Sequence, residues 1–581
     1  MKKIALAASL ALLVGLALPA GYGSAAAPSE GCGTTTIDGT VDFSLVEEGA
    51  VLKCGPGQRV VVRDDFVKPK AKRAKTRRAL TSFLTIADVQ LADEESPLRA
   101  EWADKCEQHP GTAAFRPHET MVPYLMNAHV RAANEIVRTG SPVLNDAVSF
   151  AFALGDLADN NHLNELRWII DIMDGDKLVN PDSGEDGYDG LQGTDPTGAP
   201  SDPLAVPVEG TTLRDLANEP FWALGLQSES DPFPWYSLPG NHDVKVQGTV
   251  PNTENWRTFA NSYATGSLKF TDVPPDQQQR ACQAQNDPAK YQELVTNPGG
   301  VKVVPADEDR RLLSREEWVQ EHFKTSGVPV GHGYDTERCH DAEGKLLERA
   351  CYSWKEGRFH YIALDSNPDE GLEDGNIDLP QWKWLKHELR ESSRKHYVKG
   401  EVKIRKKAKN RLIVVFSHHP GVSMNNTSTE NARNEAQLRK LFLRFPNVIL
   451  HSAGHTHQNK VWGHKSEKLG TSYWEVNTAA IVDFPQQSRS IEIADNNDGT
   501  ISIFAIVFDA AMAPNARTVD WAADDPTSEK ALGGADSDIN EDWLAAAGLE
   551  IGAYDPQADL TKIGTPKDRN VELLLKAPFK L

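Results

Sequence analysis

The sequence predicts an α/β protein, and three observations carry that expectation. From Thr81 onward, short apolar runs of β type alternate with segments of helical periodicity, as in packed layers of strands and helices. Four of those runs end in clusters of Asp, Asn and His, placed where α/β proteins present their ligand sites. Residues 471–507 instead read as successive strands, with a hairpin turn at Asn496-Asn497-Asp498-Gly499.

The elements follow in chain order. Lys2-Lys3, an apolar stretch over residues 4–18 and small residues at Ser24-Ala25-Ala26-Ala27 predict a signal peptide over residues 1–27, cleaved near Ala27. Cys32 follows Ser29-Glu30-Gly31, which lacks the apolar and small residues of a lipidation site, so no stable membrane anchor is expected. The mature chain is read as secreted or extracytoplasmic. Residues 28–80 form a small β-rich region followed by a basic linker, with seven basic residues between Lys68 and Arg78 read as a solvated face.

Residues 81–510 are read as the main domain. Its expected strands are Phe83-Leu84-Thr85-Ile86, 149–154, Trp235-Tyr236-Ser237-Leu238, 360–364, 412–416 and Val448-Ile449-Leu450; its expected helices are 121–138, 163–173, 379–389 and 434–445. Insertions fall near 174–230 and 244–335. The first is rich in Asp, Glu, Gly and Pro and is read as a polar surface loop, its spacing unlike a calcium-binding loop. A second basic run, from Arg394 to Arg411, connects a helix to the next strand and projects into solvent. Residues 511–581 are a C-terminal extension, and no internal repeat is present.

Composition narrows the function classes. With 581 residues, 39% of them hydrophobic and 25% charged, the chain can bury a full core and is neither fibrous nor broadly disordered. Acidic residues outnumber basic ones by 83 to 62, which disfavours a nucleic-acid partner. In an oxidising destination the six cysteines, Cys32, Cys54, Cys106, Cys282, Cys339 and Cys351, suit disulfides, although buried free thiols are the alternative. The turn-like Asp341-Ala342-Glu343-Gly344 favours pairing Cys339 with Cys351.

The chemistry lies in the strand-end clusters: Asp88-Val89-Gln90, Gly155-Asp156-Leu157-Ala158-Asp159, Gly240-Asn241-His242-Asp243, Ser417-His418-His419-Pro420 and Gly454-His455-Thr456-His457. Oxygen and imidazole ligands of this kind suit Mn, Fe or Zn. In this order the clusters resemble the calcineurin-like metallophosphoesterase superfamily, over about residues 81–510. The resemblance implies a four-layer sandwich of two mixed β-sheets flanked by helices. It also implies two divalent metal ions and hydrolysis of phosphate mono- or diesters by a metal-bridging hydroxide. Residue by residue, it implies that Asp88, Asp156 and His457 hold one ion. Asp156 as bridge, with Asn241, His418 and His455, holds the other. His242, paired with Asp159, protonates the leaving oxygen.

The chain departs from the pattern at one position. Gln90 stands where the family has a His ligand; its amide oxygen is a poorer ligand than imidazole, so the first site is expected to be weaker, harder, or filled by water at that position. His118 and His129, in or beside a helix, are not expected to substitute. Purple acid phosphatases carry a Tyr iron ligand where this chain has Asp159, so no charge-transfer colour is expected. His419 is read as a packing or substrate-side neighbour and His451 as structural. The alternative from another class is a non-catalytic secreted binding protein whose first metal site has degraded at Gln90.

Overall fold

Runs of β-branched and aromatic residues such as Leu412–Ser417 and Thr500–Phe508 are buried along their whole length and form the inner strands of two sheets. The computed structural model describes residues 32–46, 49–101, 114–184, 187–190, 207–208, 211–212, 219–228, 231–272, 288–296, 300–511, 545, 548–549, 552 and 558–581. The expected signal peptide, Cys106 and Cys282 lie outside these residues, as do much of the first insertion and of the C-terminal extension.

The protein is a mixed α/β structure with two large mixed sheets of seven strands each. The first runs in the order Trp235–Ser237, Phe150–Ala153, Arg78–Ile86, Ser488–Asp495, Thr500–Phe508, Val571–Lys576 and Val61–Arg63. The second runs Glu337–Arg338, Tyr352–Glu356, Phe359–Leu364, Leu412–Ser417, Val448–Ala453, Thr471–Asn477 and Lys460–Ser466. In each sheet the strands that lead to the expected site lie parallel to a neighbour, so their carboxyl ends point the same way.

Period-two alternation decides what each strand face meets. In the second sheet, Tyr361, Ala363, Val414 and Phe416 enter a core shared with Phe83, Phe150 and Phe152 of the first. Phe152 stacks on Phe416 with ring centroids 3.9 Å apart, and Phe150 meets Tyr361 edge-on at 5.2 Å. The intervening Ile362, Leu364, Ile413 and Val415 belong to another cluster, with Trp384, Leu385 and Leu389 of helix Leu379–Glu391 and Leu438 and Leu441 of helix Glu435–Phe442. Helices Val122–Thr139 and Leu163–Asp174 bury their apolar faces in the shared core. At about 25 cal/mol per Å² of apolar surface, burial on this scale supplies most of the driving force.

Two sequence expectations change. The basic linker is not simply solvated: Arg73 and Arg77 form ion pairs of 2.7 and 2.5 Å with Glu572, and Arg77 lies 4.6 Å over the Phe504 ring. Ser183, near the start of the first insertion, is buried, with its hydroxyl 2.8 Å from Asp93 Oδ1 and 3.0 Å from Glu95 Oε2. Arg310 closes that network, donating to Asp93 Oδ2 at 3.1 Å. The second basic run makes the hairpin Lys395–Val398 with Glu401–Ile404, whose second strand is exposed while His396 and Tyr397 of the first are buried. Cys339–Cys351 is a disulfide as expected, and Cys32–Cys54 is a second. Among the described residues, no helix is long and apolar enough to cross a membrane.

Candidate metal centre

The five sequence clusters come together where the strands of both sheets end. Asp88 follows Arg78–Ile86, Asp156 follows Phe150–Ala153, Asn241 follows Trp235–Ser237, His418 follows Leu412–Ser417, and His455 and His457 follow Val448–Ala453. Asp88, Gln90, Asp156, His455 and His457 all have positive φ, between 43° and 68°, so five non-glycine residues in the left-handed region meet at this one place. The glycines of the clusters have a steric reason. A Cβ on Gly240 would lie 2.0 Å from Asp156 Oδ1, and one on Gly454 would lie 2.5 Å from Asp88 Oδ2. Asp243 stitches the loops together, accepting from the backbone N–H groups of Leu157, Ala158 and Gly240.

On one side of Asp156, acceptors converge. His418 Nδ1 is 2.9 Å from the Leu154 carbonyl and must donate to it, which leaves the Nε2 lone pair facing inward. Asn241 Nδ2 donates to the Gly248 carbonyl at 3.2 Å, so Asn241 presents its oxygen. That Oδ1 lies 2.9 Å from His418 Nε2 and 3.0 Å from His455 Nδ1, and Asp156 Oδ2 is 3.2 Å from His418 Nε2. Lone pairs held this close repel unless a cation or a proton sits among them. Atoms bound at about 2.1 Å to a small divalent ion have roughly this spacing, so the donor set fits one. Burial pushes the His418 imidazole down, but the charge of Asp156 and its hydrogen bond lift it to about 9.

The other side of Asp156 is built differently. Asp88, Asp156 and His457 place their ligating atoms within 4.8 Å of one another. His457 Nε2 is 3.4 Å from Asp88 Oδ1, and its Nδ1 meets Asp483 Oδ2 at 2.5 Å, a carboxylate–imidazole pairing that fixes the ring. Gln90 is here too, but with its nitrogen inward. Arg116 Nη2 donates to Gln90 Oε1 at 2.8 Å, and because a guanidinium only donates, the oxygen must face it. Gln90 Nε2 therefore donates to Asp156 Oδ2 at 3.2 Å and approaches His457 Nε2 at 3.3 Å. The expected amide-oxygen ligand at position 90 is turned away from the other ligating atoms.

His242 sits beside both groups. Its backbone N–H donates to Asp156 Oδ1 at 2.8 Å, and its Nδ1 lies 2.8 Å from the Asp159 carbonyl and 3.1 Å from Asp159 Oδ1. Burial alone would depress this imidazole, yet the charges of Asp156 and Asp159 raise it to about 9. Burial likewise pushes Asp159 up, but Arg99, donating at 2.5 Å, and His242 hold it down at about 2.

The remaining histidines are otherwise engaged. His419 groups with His418 and His455 by distance, but its Nε2 donates to the Glu373 carbonyl and its Nδ1 meets Ser366 Oγ, both at 2.7 Å. His118 bonds the Val482 carbonyl, His129 the Gln486 carbonyl, and His451 Ser417 Oγ. Sequence reasoning missed Arg99, Arg116 and Asp483. Only Asp483 left a signal, as an acid ending the apolar run Ala479-Ala480-Ile481-Val482.

A cavity of about 1530 Å³ is lined by Val244, Arg257, Arg315, Arg338 and Arg349 among others, and none of the converging residues lines it. Its Arg315, Arg338 and Arg349 are ion-paired with Asp365, Glu316 and Asp378.

No protein-family model matches the chain, and neither does any curated protein. Solved structures similar to it include a dimetal phosphatase from Danio rerio, at 12% identity and TM-score 0.29, covering 74% of this chain and all of that one. The sulfate thiohydrolase SoxB of Thermus thermophilus matches at 11% identity and TM-score 0.27, over 75% of this chain and 57% of that one. Purple acid phosphatase PPD1 from yellow lupin (Lupinus luteus) seeds matches at 11% identity and TM-score 0.27, over 79% and 54%. At such scores the reading of the site rests on its own atoms.

Proposed function

We propose that the chain is a metal-dependent phosphoric ester hydrolase, exported from the cytoplasm and acting on small phosphate mono- or diesters. The observation that carries this reading is the convergence of Asp156, Asn241, His418 and His455 beside the His242–Asp159 pair. These four residues hold one divalent ion, Mn, Fe or Zn, and Asp88, Asp156 and His457 hold a second. When bound, such ions neutralise the phosphoryl oxygens and acidify water.

The chain's own residues supply the rest. Asn241 provides an oxygen without adding negative charge. Asp159, kept ionised by Arg99, anchors His242 through Nδ1 and keeps the ring protonated near neutral pH. His242 Nε2 then holds the proton destined for the leaving oxygen. The backbone bond from His242 to Asp156 ties that acid to the carboxylate shared by both groups. The two disulfides support the exported reading.

The test is metal content and turnover of chelated protein reloaded with Mn, Fe or Zn, assayed on p-nitrophenyl phosphate and bis(p-nitrophenyl) phosphate. Asp156→Ala is expected to lower turnover by more than about 100-fold, beyond the 10–100-fold typical of groups one shell further out. Retention of more than about a tenth of the wild-type rate sinks the reading. Metal binding without turnover of any ester points instead to the non-catalytic binding protein.

A further inference from the structure

The two amides of the centre are turned opposite ways, and each by a fixed partner. Asn241 gives up its N–H to a carbonyl, which only accepts, and so presents an oxygen. Gln90 gives its oxygen to Arg116, which only donates, and so presents an N–H pair. Those hydrogens point at Asp156 Oδ2 and His457 Nε2, two of the three atoms a cation at the Asp88 side would need. With His457 Nδ1 committed to Asp483, Nε2 carries the lone pair that receives the Gln90 N–H. In one group His418 Nε2, Asn241 Oδ1 and Asp156 Oδ2 face one another as acceptors, whereas in the other Gln90 already donates to Asp156 Oδ2 and toward His457 Nε2.

Arg116 makes this arrangement rigid. It is buried, donates through Nε to Asp483 Oδ1 at 2.6 Å and through Nη2 to Gln90, and so clamps residue 90 and the carboxylate behind His457 together. Its Nη1 lies 3.5 Å from Glu119 Oε1, which also accepts from Arg99, the guanidinium that holds Asp159. Because Arg116 is itself paired with Asp483, what it contributes at the Asp88 group is the locked orientation of the Gln90 amide.

Resting on the metal-centre reading above, we infer that the centre is deliberately unequal. One cation is held tightly by Asp156, Asn241, His418 and His455, and the Asp88–Asp156–His457 site is capped by Gln90, with Arg116 as the positioning residue that locks the cap. A second cation enters that site only by displacing the Gln90 amide. Residue 90 is then a competitor of the metal rather than a weak ligand for it, and the two roles predict opposite effects of removing its side chain.

The experiment is Mn²⁺ binding to the chelated full-length chain by calorimetry and bound-metal analysis, with electron paramagnetic resonance to detect a spin-coupled Mn pair. Wild type is expected to take one equivalent tightly and the second at least about tenfold more weakly. Gln90→Ala is expected to tighten the second equivalent, and Gln90→His to tighten it by about 10–100-fold and bring on the coupled signal at lower added Mn²⁺. Arg116→Met, which frees the amide to rotate, should move the second equivalent the same way. It leaves Asp483 and Glu119 short of a partner, so the two Gln90 variants decide alone if that protein does not fold. Weaker binding of the second equivalent in Gln90→Ala, or two equal equivalents in wild type, overturns the inference while leaving the metal-centre reading standing. No tight equivalent in wild type, or one that survives Asp156→Ala, overturns the reading itself.

Discussion

His242 and Gly240 show how single atoms set the chemistry. His242 is useful only if Nδ1 stays on Asp159 and Nε2 keeps a proton, and Arg99 secures the first condition by holding Asp159 Oδ2. His242→Ala is therefore expected to lower kcat by about 10²–10⁴ with metal content unchanged. The loss should be smaller for p-nitrophenyl esters, whose leaving group needs little protonation, than for alkyl esters. Equal losses for both would reduce His242 to a substrate-positioning role. Gly240 is a test of packing instead of proton transfer. Its missing Cβ is what lets Asp156 Oδ1 and the Asp156 backbone nitrogen approach to 2.0 and 2.3 Å of the space it would fill. Gly240→Ala should displace Asp156 and reduce bound metal below one equivalent. An alanine variant with full metal content would mean that the loop yields without moving the carboxylate.

At the scale of elements, the site exists because parallel strands from two sheets deliver their last residues to one place, and this much was legible. Each cluster follows an apolar run, so strand ends and candidate ligands are read from the same few residues, as at Leu412–Ser417 and His418. The orientation of Gln90 was not legible, because it is set by Arg116, 26 positions on, and by Asp483 beyond, with no spacing that marks either. The basic linker looked solvated for a similar reason: Glu572, which pairs with Arg73, stands 499 positions away. Local geometry did mark Cys339 and Cys351. Their disulfide closes the hairpin that leads into Tyr352–Glu356, with Cys339 N also donating to the Cys351 carbonyl at 2.9 Å. A cross-link over 12 positions is worth about 3 kcal/mol through the unfolded chain. The double variant Cys339→Ala with Cys351→Ala should unfold at lower urea and be cleaved earlier by protease within residues 338–349. Metal content should be unchanged, since no proposed ligand lies on that hairpin; an unaltered urea midpoint would show that the strands alone hold it.

For the whole molecule, the chain ends close the first sheet: Val571–Lys576 lies between Thr500–Phe508 and Val61–Arg63, so folding needs both termini of the described chain in place. Stability then draws on groups distributed over the whole described chain. Among the groups that set its response to acid are two histidines far apart in sequence, opposed by Glu95, Glu119 and Glu165, which burial raises to about 8 and which therefore favour the folded chain as pH falls. His129, in helix Val122–Thr139, bonds the Gln486 carbonyl at 3.0 Å, and burial holds it down at about 4. His162, facing Ser96 Oγ at 2.7 Å, is held at about 3 by burial against the pull of Asp93. Both lie below the ordinary value of 6.5, so between those limits the unfolded chain binds protons that the folded chain refuses. Their contribution is therefore complete above about pH 6.5 and drains away as pH falls toward the folded values, by on the order of 3 kcal/mol for His129 and on the order of 5 kcal/mol for His162. Thermal melts of the chelated wild type and of a His129 variant from pH 7 to pH 4 separate this contribution from that of the raised carboxyls. His129→Gln removes one of the two protons, so its curve should be shallower by about 1.4 kcal/mol per pH unit below pH 6, whatever its absolute stability. Parallel curves for the two proteins would mean that the folded state accepts a proton at His129, and that the buried imidazole is not what makes the fold acid-sensitive.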